Sequence, residues 1–162
     1  MKIAVEKLDP AFRDEVAGVP GGENIRKCFA CGTCTAGCPV FQVEGAYNPR
    51  RIIRMILLGL RTEVLSSREI WLCARCYTCT AGCPQGVDFS NVMMALRDMA
   101  VREGLAPADL PERIERIGSA AHEMRRDAIN LLLGMAGADE AKVRAGAEKV
   151  LAAAAPAPSG RK

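Results

Sequence analysis

The sequence predicts a mainly α-helical protein, and three observations carry that expectation. Alternating apolar and polar runs are scarce, apolar residues recur at helical spacing behind recognisable caps, and all eight cysteines fall into two compact groups. With 162 residues, 49% hydrophobic and 25% charged, the composition is that of a globular protein with one modest core and room for extensions. Aromatic residues are only 4%, too few for base-stacking platforms, and 22 Lys and Arg against 19 Asp and Glu form no basic stripe. No nucleic-acid partner is expected.

In chain order, the N-terminal residues carry acids and Pro10 where a secretory signal would need an unbroken apolar stretch. The most apolar window, residues 52–60, is interrupted by Arg54 and falls short of the roughly 20 residues that cross a bilayer. The expectation is a cytoplasmic protein without membrane insertion, whose thiols bind metal rather than form disulfides. Residues 1–22, closing on Gly18-Val19-Pro20-Gly21-Gly22, read as a short N-terminal segment and a flexible joint.

The first cysteine group is Cys28, Cys31, Cys34 and Cys38 followed by Pro39; the second is Cys73, Cys76, Cys79 and Cys83 followed by Pro84. Both read CxxCxxCxxxCP, and Thr33-Cys34-Thr35-Ala36-Gly37-Cys38-Pro39 recurs letter for letter from Thr78 to Pro84, an internal duplication. Three thiolates three residues apart can wrap three corners of a [4Fe-4S] cube, while the fourth, beyond a proline-terminated step, points away. In two-cluster ferredoxins with this run the fourth cysteine ligates the other cluster. The same crossing assigns Cys28, Cys31, Cys34 and Cys83 to cluster 1, and Cys73, Cys76, Cys79 and Cys38 to cluster 2. Neighbouring clusters would carry single electrons with no catalytic residue in the chain.

Zinc sites use paired CxxC units and leave the third cysteine and the trailing Cys-Pro without a purpose. A thioredoxin-like CxxC wants a strand–helix context that the flanking sequence lacks. Between the ligands, Gly32, Thr33, Gly37, Thr78 and Gly82 let backbone N–H groups approach the sulfurs. Each glycine is equally accounted for by a turn that needs positive φ.

After the first group, Asn48 at an N-cap and Pro49 at the first position open a helix to about Gly59, with Ile52, Ile53, Ile56, Leu57 and Leu60 on one face. Arg50, Arg51 and Arg54 oppose the helix dipole; they are either a solvated basic face or face a negative charge such as a thiolate-ligated cluster or an acidic partner. Ser66 to Glu69 has the capping-box pattern and predicts a short helix that brings Ile70, Trp71 and Leu72 beside Cys73. Trp71 is either a shield against solvent at cluster 2 or ordinary core. A further helix from Asp88 or Ser90 to about Gly104 carries Val92, Leu96, Met99 and Ala100 on one side.

These residues resemble a known family. Cys28-Phe29-Ala30-Cys31-Gly32-Thr33-Cys34, Asn48-Pro49-Arg50-Arg51-Ile52-Ile53-Arg54 and Ile70-Trp71-Leu72-Cys73-Ala74-Arg75-Cys76-Tyr77-Thr78-Cys79 are similar to the C subunit of heterodisulfide reductase. The resemblance runs from about Glu23 to Pro107. It implies an α-helical ferredoxin fold over residues 23–107 with two [4Fe-4S] clusters. It also implies a place between a flavin-containing, iron–sulfur A-type component and a B-type component, rich in Cys-Cys-Gly repeats, that reduces the disulfide. No cysteine follows Cys83, so the expectation is a wire rather than a catalyst.

Beyond residue 107, Pro111 predicts a long helix in which Ile114, Ile117, Ala121, Met124, Ala128, Leu131 and Met135 make an a/d seam, and His122 beside it reads as solvated. Gly134 to Gly137 should break it, and a second helix should run from Asp139 through Leu151. Residues 108–151 are thus a helical extension and 152–162 an Ala/Pro-rich disordered tail. A freely diffusing two-cluster ferredoxin, or an electron-transfer subunit of another iron–sulfur oxidoreductase, is the alternative to a heterodisulfide-reductase-like complex.

Overall fold

The computed structural model describes residues 8–155, and among them every regular element is helical. The helices are α1 (Phe12–Ala17), α2 (Thr33–Ala36), α3 (Pro39–Val43), α4 (Pro49–Leu57), α5 (Arg61–Leu65), α6 (Thr78–Ala81), α7 (Phe89–Arg102), α8 (Leu110–Leu132) and α9 (Glu140–Ala154). Short 3-10 turns lie at Ile25–Lys27 and Arg68–Trp71. The chain divides between Pro107 and Ala108 into two compact units.

In the first unit α4 and α7 supply half of the buried core, each started by a side-chain cap. Asn48 Oδ1 accepts from the Arg51 N–H at 3.0 Å with Pro49 in the first turn, and Asp88 accepts from the Asn91 N–H at 3.3 Å. Helix α4 buries Ile52, Ile53 and Ile56, and α7 buries Val92, Met93, Leu96, Met99 and Ala100. Each of these side chains larger than alanine contributes about 1.5–3 kcal/mol. The cysteine loops sit on this core: Cys38 lies within it, and Cys28, Cys34, Cys73, Cys79 and Cys83 pack against it.

Two expectations need correction here. Within the expected N-terminal segment, α1 buries Phe12 and Val16 completely in the core; residues 1–7 lie outside the described part. Arg61 secures this arrangement by pairing with Asp9 at 3.3 Å, Glu15 at 2.6 Å and Glu103 at 2.5 Å, tying α1, α5 and the end of α7 together. The Ser66–Glu69 capping box does not form. Instead the Ser66 and Ser67 hydroxyls donate back to the carbonyls of Thr62 (2.6 Å) and Val64 (2.8 Å), closing α5, a helix not anticipated from the sequence. With those hydroxyls turned to the preceding helix, the Arg68–Trp71 turn has no side-chain cap. Positive φ, offered for each motif glycine, occurs at Gly32 alone; Gly37 and Gly82 have φ of −87° and −89°.

The second unit is a helical hairpin. Gly134 and Gly137, with φ of 63° and 76°, end α8, and Asp139 accepts from the Lys142 N–H at 2.9 Å to start α9. Of the predicted seam, Ile114, Ile117, Ala121 and Met124 are half-buried, whereas Ala128, Leu131 and Met135 are exposed toward the hairpin end. The close approach is made by Gly146, where a Cβ would come within 2.8 Å of Met124 Cβ. Lys149 pairs with Glu123 at 2.7 Å across the hairpin. Helix α9 runs through Ala154, past the residue where a disordered tail was expected, because alanine carries the strongest helix propensity. Residues 156–162, the remainder of that expected tail, lie outside the described part.

Candidate metal centre

Each cysteine loop uses the same backbone device. Ala30 (φ 60°) and Gly32 (φ 89°) in the first loop, and Arg75 (φ 51°) and Tyr77 (φ 58°) at the same repeat positions in the second, are left-handed. Left-handed residues set between right-handed ones turn successive N–H groups to one side, making a concave cradle for negative charge. Three of the four are not glycine, a conformation that costs on the order of 1 kcal/mol and concentrates at functional sites.

Helices α2 and α6, the identical Thr-Cys-Thr-Ala segments, then meet across the repeat. A Cβ on Gly37 would lie 3.4 Å from Thr78 Cγ2, and one on Gly82 would lie 3.7 Å from Thr33 Cγ2. The same glycine–threonine contact is thus made in both directions. Pro39 starts α3 immediately after Cys38, while Pro84 lines the cavity next to Cys83.

Cysteines of both repeats come together around this contact. One small cavity is lined by Cys28, Cys31 and Cys34 and, from the second motif, by Cys79 and Cys83, together with Gly32, Thr33 and Arg50. On the other side the buried Tyr47, 1% exposed, is neighboured by Cys73, Cys79 and, from the first motif, Cys38. Burial first, then the charges of these cysteines and a side-chain hydrogen bond with Cys73, push the Tyr47 hydroxyl far up. Soft sulfur ligands in this number suit multi-iron cubes.

The thiols themselves are tuned in opposite senses. The Thr33 hydroxyl, 3.4 Å from Cys31 Sγ, lowers that thiol's pKa, and burial pushes Cys34 and Cys79 up. In the second loop Cys76 donates to the Thr78 hydroxyl at 3.5 Å, Ser90 Oγ lies 3.5 Å from Cys79 Sγ, and the Val87 N–H donates to Cys83 Sγ at 3.3 Å. Ligation deprotonates every thiol, so cluster uptake releases protons.

Sequence reasoning singled out Trp71 but missed its clamp. Arg97, 1% exposed, donates to the carbonyls of Ile70 (2.8 Å), Trp71 (3.3 Å) and Cys73 (2.9 Å), and its guanidinium lies 5.9 Å from the Trp71 ring centroid. The half-buried Trp71 is therefore fixed beside the first ligand of the second loop. An arginine on the apolar stripe of α7, between Met93 and Ala100, was the signal that marks it. Tyr47 and Ser90 left no such signal.

Residues 24–87 match the family model of the 4Fe-4S dicluster domain. The chain carries a two-cluster iron–sulfur domain. Its cofactors are two [4Fe-4S] clusters, and it is similar to the iron–sulfur C subunits of heterodisulfide reductases. It is 37% identical over 99 residues to the iron–sulfur C subunit of the CoB–CoM heterodisulfide reductase of Methanopyrus kandleri, covering 61% of this chain and 48% of that one. It is 36% identical over 102 residues to the C subunit of the H2:CoB-CoM heterodisulfide,ferredoxin reductase of Methanothermobacter thermautotrophicus, covering 62% and 54%. To the C subunit of the ferredoxin/F420H2-dependent CoB-CoM heterodisulfide reductase of Methanosarcina acetivorans it is 44% identical over 91 residues, covering 56% and 53%. The chain spans about half the length of the curated relatives it matches. The relationship implies electron transfer for the two-cluster domain. Among the described residues no helix is long and apolar enough to cross a membrane.

Proposed function

We propose that the chain is the electron-transfer subunit of a cytoplasmic heterodisulfide-reductase-like complex, passing single electrons from a flavin-containing, iron–sulfur A-like component to a Cys-Cys-Gly-rich, disulfide-reducing B-like component. The observation that carries this reading is the cavity that unites Cys28, Cys31 and Cys34 with Cys83, beside Cys79, of the other repeat. Together with the gathering of Cys38, Cys73 and Cys79 about Tyr47, it supports the crossed ligand sets, Cys28, Cys31, Cys34 and Cys83 for one cluster and Cys73, Cys76, Cys79 and Cys38 for the other.

When bound, each [4Fe-4S] group accepts or gives up one electron with no bond made or broken. The chain's part is to hold, insulate and tune. The αL cradles and the Val87 N–H turn donors toward the sulfurs, Thr33 and Thr78 bracket the exposed Cys31 and Cys76, and Trp71 with its Arg97 clamp covers the approach to Cys73. No residue of the chain is asked to exchange a proton with a substrate.

Anaerobic affinity purification of the native protein from its own cells, with co-eluting chains identified by mass spectrometry, tests this. A flavoprotein and a Cys-Cys-Gly-rich chain in fixed ratio are expected. A brown, reducible protein that elutes alone would make it a mobile two-cluster ferredoxin instead.

A further inference from the structure

The duplication extends beyond the cysteines into the helix that follows each group. In the first repeat the Thr35 hydroxyl donates to Asn48 Oδ1 at 3.0 Å and accepts from the Arg50 N–H at 3.1 Å, while Asn48 caps Arg51. In the second, the Thr80 hydroxyl donates to Asp88 Oδ1 at 2.8 Å and accepts from the Ser90 N–H at 3.5 Å, while Asp88 caps Asn91. The two networks match bond for bond. Arg50 and Ser90 therefore occupy one and the same position, the first turn of the helix that backs each cysteine loop.

Their side chains differ in charge. The Arg50 side chain lies along the first loop, with Nη1 3.5 Å from where a Gly32 Cβ would stand, and it lines the cavity of Cys28, Cys31, Cys34, Cys79 and Cys83. Among the described residues it has no carboxylate partner, and it stands at the N-terminal end of α4, where the helix dipole disfavours a cation. A negative group in the cavity would resolve both facts. Gly32 leaves room for the guanidinium; the second loop has Tyr77 at that position, and Ser90 offers only a neutral hydroxyl, 3.5 Å from Cys79 Sγ.

We infer that Arg50 makes the two clusters inequivalent, raising the reduction potential of the first over what it would be with a neutral residue at this position. The inference rests on the two-cluster reading proposed above. Reduction adds one electron, and hence one negative charge, to a thiolate-ligated group that is already anionic. A guanidinium at the cavity edge stabilises that added charge, whereas a serine hydroxyl stabilises it less. Arg50 is exposed on its outer side, so solvent and salt attenuate the effect to a single factor of about ten in the ratio of reduced to oxidised first cluster, equivalent to about 59 mV for a one-electron couple.

The test is an EPR-monitored redox titration of the full anaerobic holoprotein, with each signal assigned by Cys31→Ser or Cys76→Ser. Those labels belong to different motifs and do not depend on the crossing of the fourth cysteines. Arg50→Gln is expected to move the first cluster's ratio about tenfold toward oxidised at fixed potential and to leave the second in place, while Arg50→Lys restores most of the wild-type value. In the wild-type protein, rising ionic strength should lower the first potential more than the second, a measurement that needs no variant to fold. Unchanged potentials in Arg50→Gln, equal movement of both clusters, or equal salt dependence would each overturn the inference. A wild-type iron count well short of two cubes would overturn the two-cluster reading and the inference with it.

Discussion

Replacing Arg97 by methionine keeps the apolar stem on α7 and removes every donor of the guanidinium. Three carbonyls, of Ile70, Trp71 and Cys73, then lose partners at 2.8, 3.3 and 2.9 Å, the first buried and the other two part-buried. An unsatisfied buried carbonyl costs about 1–3 kcal/mol, and partial relaxation keeps the sum for neighbouring groups below strict additivity, so a loss on the order of 3 kcal/mol is expected. At a urea m-value of about 2 kcal/mol/M this is a fall of about 1.5 M in the unfolding midpoint. The assay is an anaerobic urea titration of the holoprotein followed by far-UV circular dichroism and by visible iron–sulfur absorption. Because one acceptor is the carbonyl of Cys73 itself, visible bleaching should begin before helix loss. Arg97→Lys retains charge but not the planar fork and should fall between the two. An Arg97→Met midpoint within about 0.3 M of wild type would refute the view that this clamp holds the second loop.

Cys38→Ala should damage the cluster served by the second motif and spare that of the first, read by EPR; the reverse pattern would sink the crossed assignment. Gly146→Val places a side chain where a Cβ already comes within 2.8 Å of Met124 Cβ, and should destabilise the α8–α9 hairpin by about 1–3 kcal/mol in thermal melts followed by circular dichroism. The hydrogen bond from Lys149 holds the Glu123 carboxyl below the usual carboxylate range. A depressed folded-state pKa contributes stability that is present above the unfolded value and lost as pH falls through the folded one. The wild-type melting temperature should therefore drop on acidification below the ordinary glutamate range, and Glu123→Gln should remove that part of the dependence.

What the sequence displayed was whatever local chemistry writes into a few consecutive residues. Asn48-Pro49, Asp88 and Asp139 announce the starts of α4, α7 and α9 because a cap acts on N–H groups within three positions of itself. The two cysteine groups announce their cofactor class for the same reason. Tyr47 is different: it is a loop residue whose significance comes from Cys73, Cys79 and Cys38, brought beside it only when the chain folds. The failed capping box at Ser66 shows the opposite limit, a correct local pattern overridden when α5 claimed the hydroxyl for its own last turn. The equivalence of Arg50 and Ser90 was hidden as well, since the connection from cysteine group to helix is shorter in the second repeat and only the matched hydrogen bonds align them.

The paired contacts of Gly37 on Thr78 and Gly82 on Thr33 have the form of an isologous interface, one surface meeting its own copy. Such an interface is as available to two separate chains as to one, so a single-repeat polypeptide could assemble the same pair of cradles only as a symmetric dimer, with both cradles forced to be alike. Joining the halves in one chain lifts that constraint. Each half can then be edited without its twin, and a pair of interchangeable sites becomes an ordered sequence with a first and a last.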